Sequence, residues 1–158
     1  MPVLSDLRSN LPHLTVASIV HNDGKFLLVE EHKFGKSVYN QPAGHVEGNE
    51  TLIEACIRET VEETGYLIRP TALLGFYRYF AKNNQTHYLR CTIIGELLEQ
   101  KSDQLDPDIM AIHWLDLDQI KTLEQQNTLR SPLVLQNIED YLAGRSFDIK
   151  ALDEPIRN

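Results

Sequence analysis

Glu59, Glu62 and Glu63 crowd into one short run of the chain. On a helix, at about 100° per residue, they fall within one arc of about 100°. Like charges spaced i, i+3 and i, i+4 destabilise a helix. Negative charge in the last turn also opposes the helix dipole. A divalent cation removes both objections, so the grouping predicts a metal site. Three glutamates alone would read more simply as a solvated face. Hard oxygen ligands suit Mg²⁺, with Mn²⁺ as an alternative, and Mg²⁺ usually combines few carboxylates with waters and substrate phosphates. Such an ion neutralises phosphate oxygens and makes a bound water more acidic. Displacement at phosphorus is mainly a matter of positioning and charge stabilisation.

The elements that must hold these acids can be read around them. Residues 51–64 read as a helix. Thr51 and Glu54 form a capping box at its start, and Gly65 is a natural C-terminal stop. Ile53, Cys56, Ile57, Thr60 and Thr64 occupy a separate arc, which is the expected core side. Residues 43–50, with Gly44 and Gly48, read as a loop. Upstream, residues 14–20 and 26–29 are apolar runs joined by Asn22-Asp23-Gly24, a hairpin signature. Residues 38–41 form a short strand stopped by Pro42.

Downstream, residues 73–80 and 86–97 are strand-like around a turn at 82–85. A polar loop at 99–107 precedes a strand at 109–115. A short helix follows at 116–123. Ser131-Pro132 opens a last helix, with serine as N-cap and proline at the first helical position, and Gly144 ends it. Residues 145–158 show no period and are expected to be loosely held. This alternation in one chain of 158 residues predicts a single domain, residues 1–158, of the α/β class: an α/β/α sandwich with a central mixed β-sheet.

Composition narrows the function. The formal net charge is −8, which argues against salt-driven nucleic-acid binding. It also repels phosphorylated ligands at long range, so a phosphate site needs a cation or local basic residues. No apolar run is long enough to span a membrane. The first ten residues carry Asp6 and Arg8 without an apolar stretch, so they do not read as a secretory signal. Two cysteines, Cys56 and Cys91, lie inside regular elements and fit a reducing, cytoplasmic setting. The expected partner is a small molecule. Oligomeric state is left open, and a monomer suffices.

From Gly44 to Tyr66 the chain resembles the Nudix box: Gly, five residues, Glu, seven residues, Arg-Glu, a bulky apolar residue, any residue, Glu-Glu, any residue, Gly and a bulky apolar residue. Gly44, Glu50, Arg58, Glu59, Glu62, Glu63 and Gly65 match every polar and glycine position. At average residue usage, chance gives seven such matches at roughly one in 10⁸, so coincidence is not the explanation. Thr60 departs, standing where a bulky apolar residue is usual. It is expected to alter packing and not chemistry.

The resemblance implies a Nudix-type fold and a hydrolase. It implies metal ligation by Glu59, Glu62 and Glu63, joined by the Gly44 carbonyl, and it gives Arg58 and Glu50 a pairing role that holds loop to helix. One of the glutamates also helps to deprotonate water in the family. A glutamate outside the box serves as base in some members, which makes Asp106 and Asp108 candidates here; a plain polar turn around Pro107 is the simpler reading.

Further likeness from about residue 13 to residue 147 points to a phosphatase branch of the family. It implies release of orthophosphate from nucleoside tri- and diphosphates and from hydroxymethylpyrimidine pyrophosphate. The alternatives are a triphosphate pyrophosphohydrolase releasing pyrophosphate, an RNA-end pyrophosphohydrolase, which the net charge does not favour, and a ligand-sensing module without turnover. Substrate-contact candidates are Tyr39, Gln41, His45, Arg78, His87 and Arg90. Strand alternation sets Arg78 and Phe80 on one face, and Tyr77 and Tyr79 on the other.

Overall fold

A computed structural model describes residues 11–154 of the chain; the reading of residues 1–10 as no secretory signal, and the end of the tail, lie outside them. Eight strands form one sheet. They are β1 (His13–Asn22), β2 (Lys25–Lys33), β3 (Lys36–Asn40), β4 (Ala43–His45), β5 (Tyr66–Ala81), β6 (Thr86–Gln100), β7 (Ile109–Leu115) and β8 (Phe147–Asp148). The helices are α1 (Leu52–Thr64), α2 (Leu117–Gln125) and α3 (Leu133–Leu142). The sheet order is β3-β2-β1-β6-β5-β8, with β4 also paired to β1 and β7 to β2. The β1–β6 pair is parallel and the others are antiparallel, so the sheet is mixed.

β1 is buried on both faces, which explains its continuous apolar run. Val16 and Val20 join Leu52, Ala55 and Cys56 of α1 in one core. Ile19 joins Ile120 of α2 and Val134 and Ile138 of α3 in the other. Helices therefore cover both faces, giving the expected α/β/α sandwich. Cys56 and Cys91 are buried free thiols. Among the described residues, no helix is long and apolar enough to cross a membrane.

The capping box at Thr51 and Glu54 is formed in both directions, at 3.1 and 2.9 Å. Thr60 is fully buried. Its hydroxyl donates to the Cys56 carbonyl at 2.7 Å and lies 2.9 Å from Ser18 Oγ. A polar residue is tolerated at this apolar slot because its hydroxyl is satisfied. At the last helix, Pro132 has helical dihedrals and Ser131 Oγ accepts the Leu133 N–H at 3.3 Å.

Three expectations need correction. Residues 43–45 are the strand β4 and not loop, because their backbone pairs with β1. β5 begins at Tyr66, well before residue 73, and accommodates Pro70 at a register shift. The tail is held: Phe147 and Asp148 pair with β5, and Ile149 and Leu152 pack on the α1 core. Glu154 accepts the Leu52 N–H at 2.7 Å, placing negative charge at the α1 N-terminus, where the dipole favours it.

Gly65 has φ +75°, and a Cβ there would meet the Ser102 carbonyl oxygen at 1.9 Å. Its own carbonyl accepts the Lys101 N–H at 2.7 Å. The glycine thus ends the helix and admits the loop that follows β6. Gly65→Ala is expected to cost more than about 1 kcal/mol, lowering the thermal midpoint by at least about 2–4 °C. An unchanged melting curve would refute the close approach.

Candidate active site

The strand β4 sets the site. It places His45 opposite Thr15 and Gly44 opposite Val16 of β1. On the other side of β1, Thr15 faces Arg90 and Val16 faces Cys91 of β6. His45, Thr15 and Arg90 therefore form one row across three strands. A Cβ on Gly44 would lie 2.2 Å from Glu59 Cδ and 2.4 Å from its Oε2. Only glycine lets the Glu59 carboxylate rest on this strand.

Arg58 joins the strand's exit loop to the helix. Its Nε and Nη2 donate to the two carboxylate oxygens of Glu50 at 2.9 and 2.6 Å. Nη2 also donates to the His45 carbonyl at 3.0 Å. Nη1 reaches Glu59 at 2.8 Å and Glu62 at 3.2 Å. The Glu50 bond is the main cause holding the guanidinium pKa above, and the Glu50 carboxyl below, their ordinary values. The pairing role expected for Arg58 and Glu50 matches this geometry.

The three glutamates differ more than their shared arc suggests. Glu62 is about half-exposed, while Glu59 is largely covered. Glu63 is buried, and its Oε1 accepts the Ala43 N–H at 2.6 Å. Burial pushes its carboxyl up to about 9, and the nearby charges of Glu31, Glu59 and Asp106 add to the rise. Burial is also the main cause raising Glu59 and Glu31. Covered carboxylates that repel one another, beside a strand carbonyl, are a donor set suited to a hard divalent cation. Among the described residues, no three His, Cys, Asp or Glu side chains already converge as a ligand group. Glu63 is turned to Ala43, and Glu59 and Glu62 are turned to Arg58.

A cleft of about 230 Å³ opens beside Gly44. Of the six predicted contact residues, only His45 and Arg90 line it. His45 stacks edge-on to His13, with ring nitrogens 3.2 Å apart. Arg90 is buried; Nη1 donates to Gln41 Oε1 and Nη2 to Asn40 Oδ1, both at 3.0 Å. Burial lowers this guanidinium to about 10. Gln41 also donates to the Val134 carbonyl at 2.7 Å, so it orients Arg90 instead of facing the cleft.

Tyr39 packs on His113, and its backbone bridges to Leu129. Arg78 is exposed on the other face of β5 from Tyr77 and Tyr79, as alternation predicts. His87 is exposed and packs on Phe80. Asp106 Oδ1 accepts the Asp108 N–H at 3.1 Å, and its carbonyl accepts the Ile109 N–H at 2.9 Å. That is the polar turn around Pro107, although Asp106 adds charge near Glu63. Sequence reasoning missed Glu31, Tyr79, Tyr88 and Arg130, which line the cleft. For Tyr79 and Tyr88, alternation from buried Tyr77 and Arg90 was the available signal.

Arg58→Ala leaves Glu50 without its two-pronged partner, and a lost charged hydrogen bond costs about 1.5–3 kcal/mol. The expected result is a thermal midpoint lower by several degrees; an unchanged midpoint would remove the clamp's structural role. Glu63 binds its proton more tightly in the folded than in the unfolded chain. Its contribution to stability is therefore complete below the ordinary carboxyl value of 4.5 and is lost as pH rises toward about 9. Glu63→Gln should flatten that fall in the metal-free protein. A slope equal to wild type would show that burial of this carboxyl is not its cause.

The NUDIX domain model matches residues 11–136. Phosphatase NudJ of Escherichia coli strain K12 is 40% identical over 144 residues, covering 90% of this chain and 92% of that protein. A NUDIX hydrolase from Nitrosomonas europaea superposes with a TM-score of 0.88 at 40% identity, covering 94% of this chain and all of the other. The MutT protein from Methanosarcina mazei Go1, at 21% identity and a TM-score of 0.69 over 85% of this chain and 96% of its own, shares the fold. The chain belongs to the Nudix hydrolases and acts on pyrophosphate bonds.

Proposed function

We propose that this enzyme hydrolyses nucleoside tri- and diphosphates, and hydroxymethylpyrimidine pyrophosphate, with release of orthophosphate in a Mg²⁺-dependent reaction. The observation that carries this reading is the box geometry: Glu59 resting on Gly44, buried Glu63 and the Arg58–Glu50 clamp, all beside a cleft with a buried arginine. The 40% identity to a phosphatase over nearly the whole chain supports the orthophosphate outcome.

In this reading the Gly44 carbonyl, Glu59, Glu62 and Glu63 hold the ion. When bound, Mg²⁺ would neutralise phosphate oxygens and acidify a water. The chain's own residues do the positioning. Arg58 keeps the Gly44–Glu50 segment against α1, so the strand carbonyl and the helix carboxylates stay in one place. Arg90, gripped by Asn40 and Gln41, presents fixed positive charge at the cleft wall. Fixed charge is worth most where water is excluded, because it need not reorganise during reaction. In a protein of net charge −8, it also offsets the long-range repulsion of a phosphorylated substrate.

A screen of nucleotides and hydroxymethylpyrimidine pyrophosphate, with and without Mg²⁺, should show metal-dependent turnover. Orthophosphate should appear without added pyrophosphatase. Glu62→Gln and Glu63→Gln should each lower turnover on the order of 100-fold or more while the fold survives. Pyrophosphate as the released product would favour the triphosphate pyrophosphohydrolase instead. Near wild-type rates in both variants would exclude them as ligands.

A further inference from the structure

The β2–β3 hairpin turns through two residues, Phe34 and Gly35, between paired Lys33 and Lys36. Both have positive φ, 55° and 75°. Asn-Gly and Asp-Gly fill such a turn with least strain. The β1–β2 hairpin follows that preference with Asp23 and Gly24, at φ 49° and 74°. A bulky side chain in the left-handed region is a conformational outlier, and such outliers cluster at functional sites. Phe34 is also 59% exposed, so burial does not account for it.

Its surroundings do. Phe34 lines the cleft together with Gly44, Arg90 and Arg130. The Arg130 guanidinium carbon lies 5.1 Å from the Phe34 ring centroid. Arg130 Nη1 is shielded from solvent and has no hydrogen-bond partner. The backbone beneath it is fixed: the Arg130 N–H donates to the Tyr39 carbonyl, and the Tyr39 N–H donates to the Thr128 carbonyl, both at 2.8 Å. Tyr79 and Tyr88 line the same cleft. An aromatic surface beside an unused donor suits a ligand that is apolar on its face and polar at its edge. A bare phosphate chain has no use for the exposed ring.

We propose that Phe34 and Arg130 form the ring-recognition subsite of this enzyme, Phe34 supplying apolar surface and Arg130 donating to an acceptor on a planar heteroaromatic ring of the substrate. The inference rests on the phosphohydrolase reading only in taking that ring and the phosphates to belong to one molecule.

Phe34→Asn restores the favoured Asn-Gly turn, so its thermal midpoint should equal or exceed wild type. Its KM for a nucleoside diphosphate should nevertheless rise on the order of tenfold, with kcat changed much less. Arg130→Gln should do the same, and Arg130→Lys should recover part of the loss. The inhibition constant of inorganic pyrophosphate, which has no ring, should stay at the wild-type value. Unchanged KM in both Phe34→Asn and Arg130→Gln overturns the proposal. A pyrophosphate constant that rises in step with KM also overturns it, placing phosphate at this subsite. Should wild type show no turnover, the phosphohydrolase reading fails; calorimetric titration of the metal-loaded variants with a nucleoside diphosphate and with pyrophosphate then still decides the subsite.

Discussion

The structure depends on how it stores acidic charge where α1 meets β4. Glu63 is buried, Glu59 lies on the strand backbone, and Glu50 sits below in the loop. Arg58 is the cation that makes this tolerable, bonding Glu50, Glu59 and Glu62 at once. One guanidinium balances one charge well and three poorly. Burial is the main cause raising the carboxyls of Glu59 and Glu63, and the neighbouring carboxylates add to the rise. A divalent ion bound there would offset this charge and give the site affinity for phosphate.

The fold supplies the geometry through one strand. β1 pairs with β4 on one side and β6 on the other, and thereby sets Gly44 and Arg90 at fixed distances across the sheet. The same strand is packed on both faces, so neither neighbour can shift without disturbing a core. α1 is locked from both ends as well. Thr51 and Glu154 satisfy its first N–H groups, and Gly65 stops it where the loop after β6 crosses. Cleft residues are thus carried by rigid strands, while Phe34 and Arg130 come from turns and loops around its rim.

Much of this was legible in the sequence, for identifiable reasons. The box acids, the capping box and the glycine stop are local features with fixed spacing, and local rules govern them. The two-core sandwich followed from helices alternating with strands. What failed was long-range. β4 looked like loop because three residues carry no period, and only pairing with β1 makes them a strand. The tail looked unattached because its partners, β5 and the α1 N-terminus, are far away in sequence. Gln41 was singled out for its place just before the box and Arg90 as a basic residue on the central hairpin, but nothing local shows that one holds the other. Arg78 and His87 lie outside the cleft lining, on the strand faces opposite Tyr77 and Arg90, a placement that strand alternation already gave. Glu31 and Arg130 had no such signal, because they reach the cleft from opposite parts of the chain.

The most direct test is crystallographic. Crystals soaked in Mn²⁺ and a nonhydrolysable nucleotide should show anomalous density at coordinating distance from the Gly44 carbonyl and the Glu59 and Glu63 carboxylates, with phosphate oxygens completing the shell. A map with no anomalous peak there, and Arg58 still engaged with Glu59 and Glu62, would contradict the account.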